Sequence, residues 1–129
     1  MSWKPEGYPQ VSPYLVVSGA EQTIRLLEQL FGAAQLRRYD TPDGEVMHAE
    51  LRIGDSVIMI GEAGGEWPPV PAFLHVYVED VDAVYRRALE LGAAAVQEPE
   101  RRGNDPDRRG GFRDPGGNTW WIATQVGTE

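Results

Sequence analysis

The side chains best suited to acid–base or metal chemistry in this chain are two histidines and one glutamate. The sequence contains His48 and His75 as its only histidines and has no cysteine. His48 and Glu50 are two residues apart, so on a strand both side chains lie on one face, about 7 Å apart along the strand. Two imidazoles and one carboxylate form the facial ligand set that suits a divalent ion. If the protein holds a metal, we expect its ligands to be His48, Glu50 and His75.

Two other interpretations of His48 and Glu50 need no metal. Apolar side chains alternate with them along the segment: Met47, Ala49, Leu51 and Ile53. This pattern is typical of a strand with one solvated face, which would place both polar groups in water. Alternatively, the two side chains line a pocket and orient a polar ligand by hydrogen bonds. The sequence leaves these possibilities open.

A basic segment lies near the end of the chain. Five of the twelve Lys and Arg residues fall in this segment: Arg101, Arg102, Arg108, Arg109 and Arg113. The forked guanidinium group suits carboxylates and phosphates, so a loop here could hold an anion. Asp105, Asp107 and several glycines favour instead a solvated loop with internal Arg–Asp pairs, and we prefer this second interpretation.

The overall composition excludes several classes of function. A formal charge of -8 opposes nucleic-acid binding, which depends on Lys and Arg neutralising phosphates. No apolar run approaches the roughly 20 residues that span a bilayer. The N-terminus, MSWKPEGYPQ, lacks the apolar stretch of a secretory signal. We therefore expect a soluble cytoplasmic protein that binds neither nucleic acid nor membrane, and without thiol chemistry.

The elements that position these residues occur twice in the sequence. In each half an apolar strand, at 14–17 and again at 73–76, leads directly into a helical segment. Each half ends with a turn pair followed by an apolar strand, at 54–60 and 117–123. This internal repeat predicts two tandem structural units.

Both predicted helices have recognisable ends. Ser18 and Glu21 form a capping-box pattern, and Gly32 is placed to end the first helix. In the second helix Asp80 is a predicted N-cap and Gly92 a predicted end. Apolar residues recur at helical spacing in both: Ile24, Leu27, Phe31, Val81, Val84, Tyr85, Ala88 and Leu91. Each helix is therefore expected to bury one face.

Turn residues divide the rest into strands. We predict strands over 34–40, 45–53 and 56–62, then 93–97, a loop over about 98–110, a strand near 110–114 and a last strand to about 125. The pattern predicts one α+β domain over 1–129, with βαβββ modules at about 10–62 and 71–125 and a linker at about 63–70. Mixed sheets with helices outside, curved around a common axis, would form a cup for a small ligand.

Three segments resemble a known superfamily. YVEDVDAVYRRALELGA (77–93) and DPGGNTWWIAT (114–124) are similar to the glyoxalase, bleomycin-resistance and extradiol-dioxygenase group, also called the vicinal oxygen chelate superfamily. PDGEVMHAELRIGDSVIMI (42–60) resembles a branch of uncharacterised glyoxalase-like proteins within it. The resemblance covers about residues 10–125 and implies two βαβββ modules. It also implies a homodimer, which is common in that group.

The resemblance further implies which positions would hold a metal. Metal-using members take four ligands from four strands, typically His, Gln or Glu. The matching positions in this chain are Tyr14, Ile58, Phe73 and Trp121. None is an ordinary metal ligand, with tyrosine at best a rare exception. We therefore expect no metal or other cofactor and an apolar, stacking surface instead, unless these residues are simply core.

Three functions are consistent with these observations. The first is metal-independent binding or sequestration of a small, partly aromatic molecule, as in bleomycin resistance. The candidate ligand-binding residues are Tyr14, Ile58, Phe73, His75, Tyr77, Trp121, His48 and Glu50. The second is a divalent-metal-dependent glyoxalase-type lyase, isomerase or dioxygenase. The third is a structural or regulatory domain without an open cavity. Trp67, in the linker, is expected at a pocket rim or subunit contact, and Trp3 in a similar role.

Overall fold

The computed structural model describes residues 3–127, which form two βαβββ units in succession. The first unit ends at Val70 and the second begins at Pro71. The elements are β1 (Tyr14–Val17), α1 (Ala20–Phe31), β2 (Ala34–Asp40), β3 (Val46–Ile53), β4 (Ser56–Glu62), β5 (Phe73–Tyr77), α2 (Val81–Glu90), β6 (Ala94–Glu100), β7 (Asp107–Arg113) and β8 (Thr119–Gln125). The predicted α+β class with two βαβββ modules is confirmed. The cup formed by both sheets stays a prediction.

The two units share one sheet topology. The strand order is β1-β4-β3-β2 in the first sheet and β5-β8-β7-β6 in the second. In each sheet the first strand pairs in parallel with the last, and the other pairs are antiparallel. This follows from the connections, because a crossover helix can return the chain parallel to a strand, whereas short turns produce antiparallel neighbours.

The core of the first unit lies between α1 and one face of its sheet. Buried side chains on that face are Leu15, Val17, Ala49, Leu51, Ile58 and Ile60, and α1 contributes Ala20, Ile24 and Leu27. Arg38 lies on the same face, beside Ala49, and donates two hydrogen bonds to Glu21 of α1, at 3.1 and 2.7 Å. The opposite face of the sheet carries the polar residues Arg37, His48 and Glu50.

The second unit is held by a buried turn as well as by its core. Trp120 and Phe112 are fully buried, and their rings stack with centroids 6.4 Å apart. The Asp114 carboxylate, in the turn between β7 and β8, accepts hydrogen bonds from the indole N–H of Trp120 at 2.8 Å and the backbone N–H of Asn118 at 2.9 Å. These bonds join the turn to the core, because Asp114 and Asn118 are themselves buried.

The beginning of α1 differs from the prediction, whereas the other helix ends agree with it. Ser18 and Glu21 do not form a capping box. The carboxylate of Glu62 instead accepts from the backbone N–H groups of Gly19 and Ala20, at 3.0 and 2.9 Å. Glu21 pairs with Arg38, so its carboxylate is already used. The predicted glycine end of α1 (Gly32, φ 66°) and the Asp80 cap of α2 are confirmed. No helix within 3–127 has the length and apolarity to cross a membrane.

Strand β7 begins earlier than predicted. It starts at Asp107 rather than near 110, and β6 extends to Glu100, so the predicted long loop is reduced to residues 101–106. Two arginines of the strand, Arg108 and Arg109, have carboxylate partners that neutralise their charge. Arg108 donates two 2.8 Å hydrogen bonds to Asp82 of α2, and Arg109 pairs with Asp107 and Asp105 at 2.9 and 2.6 Å.

Candidate functional site

The face of the first sheet that points away from α1 carries a row of polar side chains. Tyr14 of β1 is paired with Met59 of β4, Met59 with Glu50 of β3, and Glu50 with Arg37 of β2. Directly paired residues point to the same side of a sheet. His48, two residues before Glu50, lies on this side as well.

These side chains form a continuous hydrogen-bonded chain. The Tyr14 hydroxyl is 3.0 Å from His48 Nδ1, and His48 Nε2 is 2.7 Å from Glu50 Oε2. The other carboxylate oxygen, Glu50 Oε1, accepts from the Tyr8 hydroxyl at 2.5 Å and lies 3.8 Å from Arg37 Nε. Glu50 is only 5% exposed, whereas Tyr14 is 49% exposed. The chain therefore runs from a buried carboxylate to a half-exposed hydroxyl.

The charge on Glu50 determines the direction of these hydrogen bonds. Burial raises the pKa of Glu50, but hydrogen bonds from Tyr8 and His48 and the charge of Arg37 outweigh it and lower the pKa below its usual value. An ionised carboxylate only accepts hydrogen bonds, so neutral His48 must carry its proton on Nε2. His48 Nδ1 is then a lone-pair acceptor, and the Tyr14 hydroxyl donates to it.

Tyr8 is a member of this network that the sequence analysis missed. It lies in the segment before β1, 42 residues from its partner Glu50. The hydrogen bond to Glu50 raises the pKa of Tyr8, with burial and the Glu50 charge adding to the effect, so its hydroxyl is held as a donor. The guanidinium of Arg37 lies 5.5 Å from the centre of the Tyr8 ring. No local sequence signal connects residues so far apart.

Tyr14 and His48 border a cavity of about 640 Å³ in the first unit. The lining residues are Tyr14, Val16, Thr41, Glu45, Val46, Met47, His48, Gly61, Glu62, Ala63, Gly64 and Trp67. A register shift brings Met47 into this group: Tyr39 pairs with His48 and Asp40 with Val46, so Met47 is an extra, bulged residue. Trp67 lies at the cavity rim, consistent with one of the two roles expected for it.

Gly61 provides the space for the Tyr14 hydroxyl. A Cβ atom at position 61 would lie 3.0 Å from the Tyr14 hydroxyl oxygen and 3.0 Å from the carbonyl oxygen of Met47. Contacts this short force neighbouring atoms to move. The glycine therefore permits the ring of Tyr14 to lie against β4 within reach of His48.

The structure does not place Ile58 with the other candidate residues. Ile58 is paired with Leu51 and 4% exposed, on the face covered by α1. The neighbouring Met59, paired with Tyr14 and Glu50, occupies the open face instead. The expectation that Ile58 lines the site is therefore wrong, because side chains alternate along a strand and the register places Ile58 on the core side.

In the second unit the structure brings His75 and Trp121 together. They are paired between β5 and β8 and border a smaller cavity of about 370 Å³. The Trp121 ring lies against Gly111, where a Cβ atom would be 2.8 Å from two of its ring carbons. Arg109 Nε donates to His75 Nε2 at 3.2 Å. Burial, followed by the charge of Arg109, lowers the pKa of His75, which favours a neutral imidazole.

Phe73 and Tyr77 lie on the same sheet face as His75 but outside that cavity lining. Phe73 is 79% exposed, and the Tyr77 hydroxyl donates to Asp107 at 2.6 Å while its ring contacts His75 with centroids 5.0 Å apart. The basic segment does not provide a free anion site at Arg109, which is paired with two aspartates. The internal Arg–Asp pairing of the preferred interpretation is confirmed at Arg109, but this residue lies in strand β7 and not in the solvated loop that was expected.

The residues of the chain do not fit a metal ion. Of the four positions that the resemblance assigns to ligands, Phe73 and Trp121 carry a phenyl and an indole side chain, and Ile58 is an aliphatic residue on the core side of its sheet. Met59, which occupies the open face in place of Ile58, is no ordinary ligand of a divalent ion either. His75, which strand pairing makes the equivalent of Tyr14, already accepts a hydrogen bond from Arg109 at Nε2. Both ring nitrogens of His48 are already hydrogen-bonded, to Tyr14 and Glu50. Within residues 3–127 no group of three or more His, Asp or Glu side chains is arranged to hold an ion. The ligand set His48, Glu50 and His75 stays a prediction without support from this geometry.

Comparison with known sequences identifies the family. The profile of the Glyoxalase/Bleomycin resistance protein/Dioxygenase superfamily matches residues 9–122. The chain belongs to this superfamily. An uncharacterised protein of Mycobacterium bovis is 35% identical over an alignment of 131 positions, gaps included, and this alignment covers 92% of this chain and 84% of that protein. An uncharacterised protein of Mycobacterium tuberculosis has the same identity and is covered over 75% of its length.

Two solved structures with low sequence identity show the same fold. TioX from Micromonospora sp. ML1 superimposes with a TM-score of 0.69 at 22% identity, covering 89% of this chain and 98% of TioX. A mutant of the fosfomycin resistance protein FosX from Listeria monocytogenes, complexed with Mn(II) and 1S,2S-dihydroxypropylphosphonic acid, gives a TM-score of 0.69 at 18% identity, covering 93% of this chain and 90% of FosX. At these identities the similarity supports the fold and not the ligand.

Proposed function

We propose that this member of the superfamily binds a small, partly aromatic organic molecule in the cavity of the first unit, without a metal ion. The observation that carries the proposal is the cavity itself, about 640 Å³ in volume, with the Tyr14 hydroxyl and His48 on its wall. Cavities of roughly 300–1,000 Å³ with mainly apolar walls and a few polar groups are typical small-molecule sites.

The wall chemistry indicates what kind of molecule fits. Val16, Val46, Met47 and Trp67 provide an apolar surface for a ring. Met47 is suited to this role, because a thioether side chain adapts to irregular shapes and packs well against aromatic groups. The Tyr14 hydroxyl and His48 would orient one polar group of the ligand.

The charges around the cavity favour a neutral or cationic ligand. Glu45 and Glu62 line the cavity, whereas no lysine or arginine is among its described lining residues. The carboxylate of Glu62 is directed to the first amides of α1 and is therefore fixed in place. An anionic ligand would meet unfavourable electrostatic repulsion here.

We propose that the second unit contributes a separate aromatic surface through His75 and Trp121. The indole ring of Trp121 packs against the backbone of Gly111 and is half-buried, so its exposed part is available for stacking. Phe73 and Tyr77 extend this surface on the same side of β5. A metal-dependent lyase, isomerase or dioxygenase is not proposed, because the donor set does not fit an ion. The expected homodimer and cytoplasmic location stay predictions.

Isothermal titration calorimetry with 5-nitroindazole, a neutral ring compound, tests the proposal. Trp67 and Trp3 are both strongly exposed, at 69% and 81%, but only Trp67 lines the cavity. We expect saturable binding to the wild type, unchanged affinity in Trp3→Ala and roughly tenfold weaker binding in Trp67→Ala, since stacking on an aromatic ring contributes about 0.5–1.5 kcal/mol beyond area burial. Absence of saturable binding, or equal affinity in both variants, would refute the proposed site.

A further inference from the structure

We propose that Tyr14, His48 and Glu50 act together as a metal-independent general base, which removes a proton from an apolar, ring-bearing molecule with an acidic C–H group. The inference rests on the proposed binding of such a molecule in the first-unit cavity and adds a reaction to it. Tyr14 is the catalytic residue that contacts the molecule, His48 accepts the proton that Tyr14 releases, and Glu50 is a positioning residue.

Burial decreases along the hydrogen-bonded chain from Glu50 through His48 to Tyr14. The Glu50 side chain is 6% exposed, the His48 side chain 24%, and the Tyr14 residue about half. The two connecting distances, 2.7 and 3.0 Å, are both within ordinary hydrogen-bond length. A buried acceptor, a histidine and an accessible hydroxyl are thus joined in sequence. This is the arrangement by which an adjacent base activates a hydroxyl in other enzymes.

The proton balance of the step is simple. The hydroxyl oxygen of Tyr14 accepts the proton from the C–H group while its own proton moves to His48 Nδ1, and the C–H electron pair stays on the bound molecule. His48 becomes an imidazolium next to the negative charge of Glu50, which stabilises it. The reverse transfer returns a proton to the product and restores the starting state. The reaction involves no oxidation and needs no co-reactant.

The βαβββ fold does not require this hydrogen-bonded chain of residues. The second unit has the same topology, and the positions paired as Tyr14, Met59 and Glu50 are there His75, Trp121 and Gly111. Gly111 offers no carboxylate, and His75 Nε2 already accepts a hydrogen bond from Arg109. The second unit therefore folds without a Tyr–His–Glu chain at the equivalent positions, so the chain in the first unit is not a condition of the architecture.

The residues around Tyr14 leave space for its hydroxyl beside His48. Gly61 leaves room for the hydroxyl at the point where a Cβ atom would lie 3.0 Å away. The His48 ring also lies beside the Tyr14 ring, with centroids 5.5 Å apart. The hydrogen bonds at both of its ring nitrogens hold the orientation of the imidazole. A fixed orientation is what efficient proton transfer requires.

The probe for this reaction is 5-nitrobenzisoxazole, a neutral ring compound with one acidic C–H group. Removal of that proton forms the C≡N bond from the C–H electron pair and breaks the N–O bond, which releases a coloured cyanonitrophenolate. We expect saturable elimination by the wild type that is about 10²–10⁴-fold faster than in buffer, the usual contribution of a positioned general base.

Variants separate the roles of the three residues. Tyr14→Phe and His48→Gln should each lower kcat by about 100-fold, a larger effect than any rise in KM from the loss of a polar contact with the ligand. Tyr39→Phe is the matched control, because it keeps the ring beside His48 and removes a hydroxyl outside the chain of hydrogen bonds. Glu50→Gln should lower kcat by about tenfold and change the ¹⁵N resonances of His48, because an amide no longer fixes the Nε2–H tautomer. A purely structural Glu50 would leave the tautomer unchanged.

Binding of 5-nitroindazole, which cannot undergo the elimination, is measured on the same variants. Binding without elimination above the buffer rate, or equal elimination by Tyr14→Phe and the wild type, would overturn the general-base proposal and leave the binding proposal intact. Absence of 5-nitroindazole binding would overturn the binding proposal, and the general base with it. Elimination that depends on Tyr14 and His48 but not on Tyr39 supports the inference.

Discussion

Replacement of Asp114 by alanine should destabilise the second unit far more than an ordinary turn substitution. The carboxylate accepts from the indole N–H of Trp120 at 2.8 Å and from the backbone N–H of Asn118 at 2.9 Å, and all three residues are buried. A hydrogen bond to a charged group contributes about 1.5–3 kcal/mol. Two such bonds give an expected loss of about 3–5 kcal/mol in the free energy of unfolding, allowing for relaxation.

Urea denaturation at neutral pH, followed by tryptophan fluorescence, measures this loss directly. The matched control is Asp55→Ala in the hairpin turn of the first unit, where Asp55 is exposed and its carboxylate accepts only a 3.2 Å bond from Ser56 among the described contacts. That change should cost less than about 0.5 kcal/mol. Asp114→Asn, which keeps one acceptor oxygen, should fall between the two. A loss below about 1 kcal/mol for Asp114→Ala would refute the reasoning.

Two further predictions concern the first unit. Gly61→Ala should lower the free energy of unfolding by about 1–3 kcal/mol through overpacking, which urea denaturation measures. It should also displace the Tyr14 hydroxyl from His48, which the ¹⁵N resonance of His48 Nδ1 detects. An unchanged free energy and an unchanged resonance would contradict the steric argument. Because the pKa of Glu50 is lowered in the folded state, the fold is stabilised above the unfolded pKa of about 4.3 and loses this contribution as pH falls through the folded value. Between neutral and acidic pH, the Tm of thermal unfolding should therefore fall more steeply for the wild type than for Glu50→Gln. Parallel Tm curves for the two proteins would contradict this prediction.

Local signals predicted the elements of the fold well. The cap at Asp80 and the helix-ending Gly32 depend on residues within one turn of the helix, so the sequence pattern is sufficient to find them. Strands β2 and β4 were predicted with their observed bounds, since turns with glycine separate them from their neighbours. The capping box failed because its competitor, Glu62, lies more than 40 residues away.

The error at Ile58 has a specific cause in the turns. In the sequence, the turn at Gly54 was matched with the turn at Gly117, and this match aligned Ile58 with Trp121. In the structure the β3–β4 turn contains two residues, with Ile53 paired to Ser56, whereas five residues separate Arg113 from its partner Thr119 in the second unit. Eight residues separate Glu50 from its partner Met59, whereas nine separate Gly111 from its partner Trp121. Matching the glycines therefore shifts the alignment by one residue, which places Ile58 and Trp121 on opposite sheet faces. Met59 is recognised as the equivalent of Trp121 only from the pairing of residues between neighbouring strands. This pairing cannot be read from a single sequence.

The candidate site was predicted only in part for a similar reason. Tyr14, His48 and Glu50 were recognised as candidates, but their mutual hydrogen bonds and the contribution of Tyr8 depend on contacts between residues 34 and 42 positions apart. Side-chain type indicates what a residue can donate or accept. Which partner it finds is decided by strand pairing and by the path of the segment before β1.

The bulge at Met47 makes the cavity wall easy to alter during evolution. Loss of this one residue would leave Asp40 opposite Val46 and Tyr39 opposite His48, so regular pairing on both sides of the site would be kept. A single-codon deletion or insertion at this point could therefore add or remove an apolar contact while the histidine beside it stays in register. Ligand preference could in this way change among relatives without any rearrangement of the sheet.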